Sequence, residues 1–265
     1  MIAQAGFPFT FMSGFAVSAS RIGQPDLGLI SYGEIVDQGR NICAAADIPI
    51  IGDGDTGYGN ALNVKRTVQG YAQAGFASVM IEDQVAPKRC GHTKGKLVVE
   101  RDEALERVQA AVDAREELRA NGGDILILAR TDARAMHGLD EAIWRAQQFA
   151  QIGADILFVE APKNEIDMAR LTSEAPGIHM ANLVEGGTTP MLPMERLHEL
   201  GYNFAAYPLT LMSAAMRSIR QCLEELAQGN HPEGALLEFS ELREIVGFGD
   251  YYRDEANYTK SSREN

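Results

Sequence analysis

Pro49-Ile50-Ile51-Gly52-Asp53-Gly54-Asp55-Thr56-Gly57-Tyr58-Gly59-Asn60 is the stretch on which the fold turns. A short apolar run fit for a buried strand breaks abruptly into acid and glycine. A strand that is apolar along its length and polar only where it ends suits a parallel sheet covered on both faces. The signature recurs along the chain, with candidate strands at 9–13, 49–53, 78–83, 125–131, 156–160, 178–183 and 203–207. Their ends carry Ser13, Asp53, Glu82, Arg130, Glu160 and Asn182. Helix-like segments lie between them, among them 100–118, 139–152 and 194–200. In 139–152, Ala142, Ile143, Ala146, Phe149 and Ala150 recur at helical spacing, the pattern of a helix packed on a sheet.

Strict alternation of strand and helix implies parallel strands joined by right-handed crossovers, hence a barrel or a doubly wound sheet. The strands recur at intervals of roughly 25–45 residues, the rhythm of a (β/α)₈ barrel. A barrel gathers every strand end around one mouth, whereas an open sheet spreads them along an edge. A TIM-type (β/α)₈ barrel is therefore expected. The candidate strands number one fewer than the barrel needs. Residues 1–6 read as the end of a helix leading into the strand at 9–13, so the first strand and most of its helix are expected to be absent. Unpaired strand edges at such a gap are costly and prone to aggregate. After the last strand, 212–227 and 233–246 read as helices. The tail at 247–258 carries Phe248, Tyr251, Tyr252 and Tyr258 and is too aromatic for a free coil. The reading is one barrel domain over 1–265, with a C-terminal helical segment at about 212–258.

Composition narrows the function. The 265 residues are 45% hydrophobic and 7% aromatic, enough aliphatic side chain to bury one barrel core. A net charge of −13 argues against nucleic acid and anionic membrane surfaces, both of which need a basic face. No apolar run approaches the ~20 residues of a membrane span. The start of the chain has no signal-peptide architecture. Cys43, Cys90 and Cys222 are odd in number and widely spaced, which suggests neither disulfides nor zinc and fits a reducing cytoplasm.

The chemistry concentrates at strand ends. Asp53 and Asp55, set among glycines, can hold a hard cation, although a Gly/Asp turn needs the same residue types. Glu82, in Ile81-Glu82-Asp83-Gln84, adds a third carboxylate. Three acids in one barrel mouth repel one another unless a cation sits among them. In the loop Pro87-Lys88-Arg89-Cys90-Gly91-His92-Thr93-Lys94-Gly95-Lys96, a thiol flanked by Lys88, Arg89 and His92 sits in a positive field that favours thiolate. Arg130 can clamp a carboxylate, or pair with Asp132 or Glu160 inside the barrel. Ser13-Gly14 can donate to an oxyanion, and so can Asn182. Cys43 and Cys222 read as core. His137, His179, His198 and His231 have no ligating spacing, and no phosphate loop or dinucleotide fingerprint is present.

These motifs, in this order, resemble the isocitrate lyase / phosphoenolpyruvate mutase superfamily: Ser13-Gly14, the run 53–60, Ile81-Glu82-Asp83-Gln84, Lys88-Arg89-Cys90-Gly91-His92 and Ala129-Arg130-Thr131-Asp132-Ala133. The resemblance implies a (β/α)₈ barrel that exchanges its C-terminal helix between subunits of a tetramer, which would give 212–258 a partner. It implies Mg²⁺, or Mn²⁺ in its place, on Asp53 with Asp55 and Glu82 contributing. It implies Cys90 as the acid/base group with His92 and Arg130, and substrate contacts from Ser13, Gly14, Phe15, Gly91, Arg130, Glu160 and Asn182. The cysteine loop points to the lyase branch. Lys94-Gly95-Lys96 and Val184-Glu185-Gly186-Gly187-Thr188-Thr189-Pro190 look most like the dimethylmalate lyase, petal-death and oxaloacetate hydrolase group. The expected reaction is Mg²⁺-dependent cleavage of a 2-hydroxy dicarboxylate. Oxaloacetate hydrolysis or decarboxylation and carboxyphosphonoenolpyruvate mutase chemistry stand as alternatives, with a non-catalytic paralogue behind them.

Overall fold

The computed structural model describes residues 1–89 and 95–261. They form two compact units, Ile2–Leu211 and the segment from Met212 onward. The first carries seven parallel strands in sequential order: β1 (Thr10–Met12), β2 (Ile50–Asp53), β3 (Ser78–Glu82), β4 (Leu126–Thr131), β5 (Ile156–Val159), β6 (Ile178–Asn182) and β7 (Phe204–Ala206). Each falls within two residues of its expected span. The sheet curls into a nearly closed barrel whose edges are β1 and β7. Across that seam the rings of Phe9 and Phe204 meet edge to face at 5.2 Å, a favoured geometry for an aromatic pair.

The helices of this unit are α1 (Gly14–Val17), α2 (Tyr32–Ala45), α3 (Ala61–Ala74), α4 (Arg101–Ala120), α5 (Ala133–His137), α6 (Leu139–Ile152), α7 (Glu165–Glu174) and α8 (Met194–Glu199). Helix α3 starts where the acidic loop ends, because Asn60 accepts from the Leu62 and Asn63 N–H groups and Asn63 answers on the Asn60 N–H. Such reciprocal capping satisfies donors that the first turn cannot pair internally.

Two apolar layers follow from the pleat. Outward-facing Ile50, Val79, Ile81, Ile127, Ala129 and Leu157 meet the helices, with Tyr71 and Phe149 wholly buried there. Inward-facing Ile51, Met80, Leu128, Phe158 and Met180 fill the barrel, joined by Phe11. Each large side chain so buried contributes about 1.5–3 kcal/mol. Strand side chains alternate with period two. The residues two places beyond Phe11, Ile51, Met80, Leu128, Phe158 and Met180 are Ser13, Asp53, Glu82, Arg130, Glu160 and Asn182. The alternation that fills the barrel therefore sets these side chains together at its C-terminal mouth.

The second unit holds most of α9 (Thr210–Ala227), then α10 (Phe239–Ile245) and α11 (Phe248–Ser261). Several local expectations change. Residues 1–6 form turns closed by the Ala5 and Gly6 N–H groups on the Ile2 and Ala3 carbonyls, not a helix end. The stretch 233–246 is broken, with a single 3₁₀ turn at Glu233–Ala235 separate from α10. The aromatic tail is α11. Cys43 is half-buried and packs against the outer core, as expected, whereas Cys222 is half-buried on α9. Among the described residues, no helix is long and apolar enough to cross a membrane.

Candidate active site

The barrel mouth opens into a cavity with an apolar floor and a charged rim. Phe11, Met80, Phe158, Met180 and Ala206 line it below; Ser13, Phe15, Asp53, Glu82, Arg130, Glu160 and Asn182 line its working surface. Cys90, Gly91 and His92 lie outside the described residues. Arg89, immediately before Cys90 in the chain, lines the cavity.

Asp53 is fixed from several sides. Its Oδ2 accepts the Gly14 N–H at 2.9 Å, its Oδ1 accepts the Asp55 N–H at 3.1 Å, and its carbonyl accepts the Tyr71 hydroxyl. Position 14 requires glycine, because a Cβ there would stand 2.7 Å from Asp53 Oδ2. The Gly14 N–H is thus committed to the carboxylate and not aimed at a substrate oxyanion. The Ser13 side chain accepts from the Ala16 N–H and caps α1.

Asp55 adopts a left-handed backbone at φ +47°, a strain that persists only where surroundings impose it. Lys88 Nζ stands 2.7 Å from Asp55 Oδ1 and 2.6 Å from Asp26 Oδ1. Both oxygens are thereby paired with one buried ammonium. Burial pushes the Asp55 carboxyl up to about 7 against the pull of Lys88, with Asp53 and Asp26 adding repulsion. Burial likewise raises Glu82 well above the usual carboxylate range, opposed by Arg130, and Glu82 Oε1 has no hydrogen-bond partner. Burial works against the charge on Lys88, but Asp55, Asp53, Glu82 and Asp26 outweigh it and hold its pKa well above normal.

Arg130 sits among three acids. Its Nε and Nη2 reach Asp132 at 2.8 and 3.2 Å, Nε lies 3.3 Å from Glu82 Oε2, and Nη2 lies 3.2 Å from Glu160 Oε2. Glu160 Oε2 also accepts from Asn182 Nδ2 at 3.2 Å, while Oε1 accepts the Ala161 N–H. Lys96 Nζ contacts Asp132 at 2.9 Å. Both pairings open to Arg130 in the sequence, Asp132 and Glu160, are present.

Among the described residues of this cluster, Asp26, Asp53, Asp55, Glu82, Asp132 and Glu160 outnumber the buried cations Lys88, Lys96 and Arg130. Glu82 Oε1, buried and without a hydrogen-bond partner among the described residues, lies within that surplus. No three His, Cys, Asp or Glu among the described residues form a ready-made cage. Mg²⁺ asks for less: one or two carboxylates, its other positions kept for water and substrate oxygens. Asp53, Asp55 and Glu82 suit that demand.

Some of this escaped the sequence. Asp26 comes from the loop between α1 and α2, with no strand end to flag it. Lys88, expected beside Cys90, reaches Asp26 and Asp55, contacts that the sequence did not announce; Cys90 itself lies outside the described residues. Gln84 holds both backbone groups of Arg89, donating to its carbonyl and accepting its N–H, each at 2.9 Å. Val184, Pro208 and Leu209 supply an apolar wall.

The pattern of the phosphoenolpyruvate phosphomutase family matches residues 1–227. The chain is 40% identical to 2,3-dimethylmalate lyase of Eubacterium barkeri, over 97% of this chain and 89% of that one. It superposes on oxaloacetate acetylhydrolase bound to 3,3-difluorooxalacetate with a TM-score of 0.92 and 33% identity, covering 97% and 87% of the two chains. A phosphonopyruvate hydrolase complexed with oxalate and Mg²⁺ superposes with a TM-score of 0.82 and 28% identity, over 97% and 89%. With its order of strands, its acidic mouth and these likenesses, the chain belongs to the phosphoenolpyruvate phosphomutase family, within the superfamily shared with isocitrate lyase.

Proposed function

We propose that this protein is a Mg²⁺-dependent carbon–carbon lyase. Its substrate would be a 2-hydroxy dicarboxylate of the 2,3-dimethylmalate or 2-methylisocitrate kind, its products a 2-oxo acid and a simple carboxylic acid. The observation that carries the reading is Arg130 buried at the mouth among carboxylates that outnumber the buried cations of the described residues. Such a site receives a carboxylate only together with a cation. Asp53 would hold Mg²⁺, with Asp55 and Glu82 contributing partly through water, and bound Mg²⁺ supplies Lewis-acid stabilisation of charge on substrate oxygen.

The chain's own groups then divide the work. Arg130 orients the carboxylate next to the scissile bond and favours the charge that develops on it. Ser13, Gly14, Phe15, Glu160 and Asn182 shape the pocket around the substrate, with Gly91 and His92 expected beside them. As C2–C3 breaks, a base takes the proton of the 2-hydroxyl and the O–H electron pair left on that oxygen becomes the second bond of the 2-oxo acid's carbonyl. The C2–C3 pair stays on C3, spread into its carboxylate, until Cys90 delivers a proton there.

The test is 2-oxo acid release by the purified protein, with and without Mg²⁺, from dimethylmalate, methylisocitrate, isocitrate and oxaloacetate. Mg²⁺-dependent pyruvate or glyoxylate from one hydroxy acid is the expected result. Oxalate and acetate from oxaloacetate would replace the lyase reading with a hydrolase, and silence on all four would sink both. The concentration of Mg²⁺ for half-maximal rate should fall as pH rises from 6 to 8. Asp55 gives up its proton near pH 7, and metal competes with protons for a carboxylate.

The segment from Met212 onward fits a subunit contact. Met216, Ile219, Leu223 and Leu226 make one apolar stripe along α9, each more than half exposed. Stripes of this size mark interaction surfaces. A homotetramer in a reducing cytoplasm is the proposed form. Light scattering after gel filtration should give four times the 28.8 kDa chain mass, and Leu223→Asp should lower that mass; a monomeric parent protein would refute the assembly.

A further inference from the structure

Asp83 directly follows Glu82, so the pleat turns it away from the cavity that Glu82 lines. It is 2% exposed, and the reaction scheme gives it no task. Its two oxygens do different things. Oδ1 accepts the backbone N–H of Asp132 at 3.0 Å, and Oδ2 accepts from Arg145 Nη1 at 3.0 Å. Arg145, 3% exposed on α6, is itself fixed by the Val99 carbonyl and by Glu141 Oε1, each at 2.9 Å.

Asp132 is wholly buried, and its side chain takes the Arg130 fork through Nε and Nη2 while Lys96 shares Oδ1. Of the three acids around the guanidinium, Asp132 alone takes both Nε and Nη2, and its carrier backbone is held by Asp83. Helix α6 and the substrate clamp are linked through Arg145, Asp83 and Asp132 in turn. We infer that Asp83, braced by Arg145, is a positioning residue for the carboxylate clamp formed by Arg130. The inference rests on the clamp role assigned to Arg130 above.

A pair serving only stability would behave differently. Arg145 already has the Val99 carbonyl and Glu141, so it does not need Asp83 to be neutralised. Asp83 instead reaches the one backbone N–H that carries the partner of Arg130. A clamp displaced by about 1 Å costs on the order of 10²-fold in productive binding.

Oxalate, which the phosphonopyruvate hydrolase complex contains together with Mg²⁺, is the probe. Its dissociation constant is measured calorimetrically in the presence of Mg²⁺, alongside kcat and KM with dimethylmalate and the melting temperature. Asp83→Ala should weaken oxalate by at least about 10-fold and raise KM more than it lowers kcat, a fraction of the full misplacement cost. Asp83→Asn keeps an acceptor for the Asp132 N–H and should stay within about 3-fold of the parent, as a neutral hydrogen bond replaces a charged one. Arg115→Ala removes another buried guanidinium, one that holds the Gly153 carbonyl away from the cavity. It should lower the melting temperature and leave oxalate affinity unchanged. If Asp83→Ala does not fold, Arg145→Lys carries the test: it keeps the charge, shortens the reach to Asp83, and should also weaken oxalate.

Parent-like oxalate affinity in folded Asp83→Ala or Arg145→Lys overturns the inference, as does Asp83→Asn matching the loss of the Ala variant. A parent protein that binds oxalate but cleaves none of the hydroxy acids overturns the lyase reading alone. A parent that fails to bind oxalate overturns both.

Discussion

Arg130→Ala is expected to lower kcat/KM by about 10³-fold or more and to cost about 3–5 kcal/mol of stability, the penalty for breaking a buried ion pair from one side. The two losses share a cause. Removing the guanidinium strips Asp132 of its fork and leaves Glu82, Asp132 and Glu160 facing one another under cover. A substrate carboxylate would then enter a pocket whose inner wall has lost its buried guanidinium while keeping three carboxylates. Arg130→Lys separates the effects: the charge survives, so much of the stability should return, but a lysine cannot offer the planar fork and activity should stay low.

Acid denaturation reads the same contacts. Burial alone would raise the Asp132 carboxyl, but Arg130 and Lys96 outweigh it and hold its pKa at about 2. Between the unfolded value near 4 and about 2, the folded state binds fewer protons than the unfolded one. The stability from Asp132 is therefore complete above pH ~4 and lost as pH falls through about 2. Without Arg130 the folded value rises and that contribution shrinks. Rates near those of the parent, or unchanged urea unfolding, in Arg130→Ala would remove Arg130 from the centre of the site.

What the sequence disclosed and what it hid follow one physical line. Period-two alternation carries both burial and site geometry, so the strand ends at Asp53, Glu82, Arg130, Glu160 and Asn182 were legible as one mouth. Asp53 and Arg130 also stand beside residues that betray them, glycine in one case and a following Asp in the other. Asp26 and Asp83 had no such mark. Asp26 arrives on an irregular loop, and Asp83 points away from the cavity and acts through Asp132, which only folding brings near. Lys88 was read only by its neighbour in sequence, Cys90, and its pairing with Asp26 and Asp55 needed the fold to bring them together. At 233–246 the apolar pattern outweighed Gly234, which sits in the 3₁₀ turn, and the helix begins only after Leu236–Glu238. The aromatic tail was correctly refused as free coil, because amphipathic spacing of Phe248, Tyr251 and Tyr252 gives α11 a ring-bearing face.

Cys90→Ala should reduce kcat by about 10²–10⁴-fold, the range for a lost general acid, while leaving Mg²⁺-dependent oxalate binding within a few-fold of the parent. The thiol is proposed to donate the proton that ends the reaction, whereas Asp53 is held by Gly14 and Asp55, and Arg130 by Asp132. The chain leading to it is anchored independently, with Arg89 in the grip of Gln84 and Lys88 held by Asp26 and Asp55. Cys90→Ser should not rescue turnover, because an alcohol lies far above the pH range in which a thiol of lowered pKa exchanges protons. The other thiols supply a control for alkylation. Burial pushes the Cys43 thiol up, so iodoacetamide at neutral pH should modify Cys90 before Cys43, and oxalate with Mg²⁺ should protect it. Loss of turnover with oxalate binding intact places the thiol in the bond-breaking sequence and argues against phosphonate chemistry at this mouth. Full turnover in Cys90→Ala would instead leave the C3 carbanion to water or another acid and would shift the reading toward oxaloacetate hydrolysis or decarboxylation on the same acidic frame.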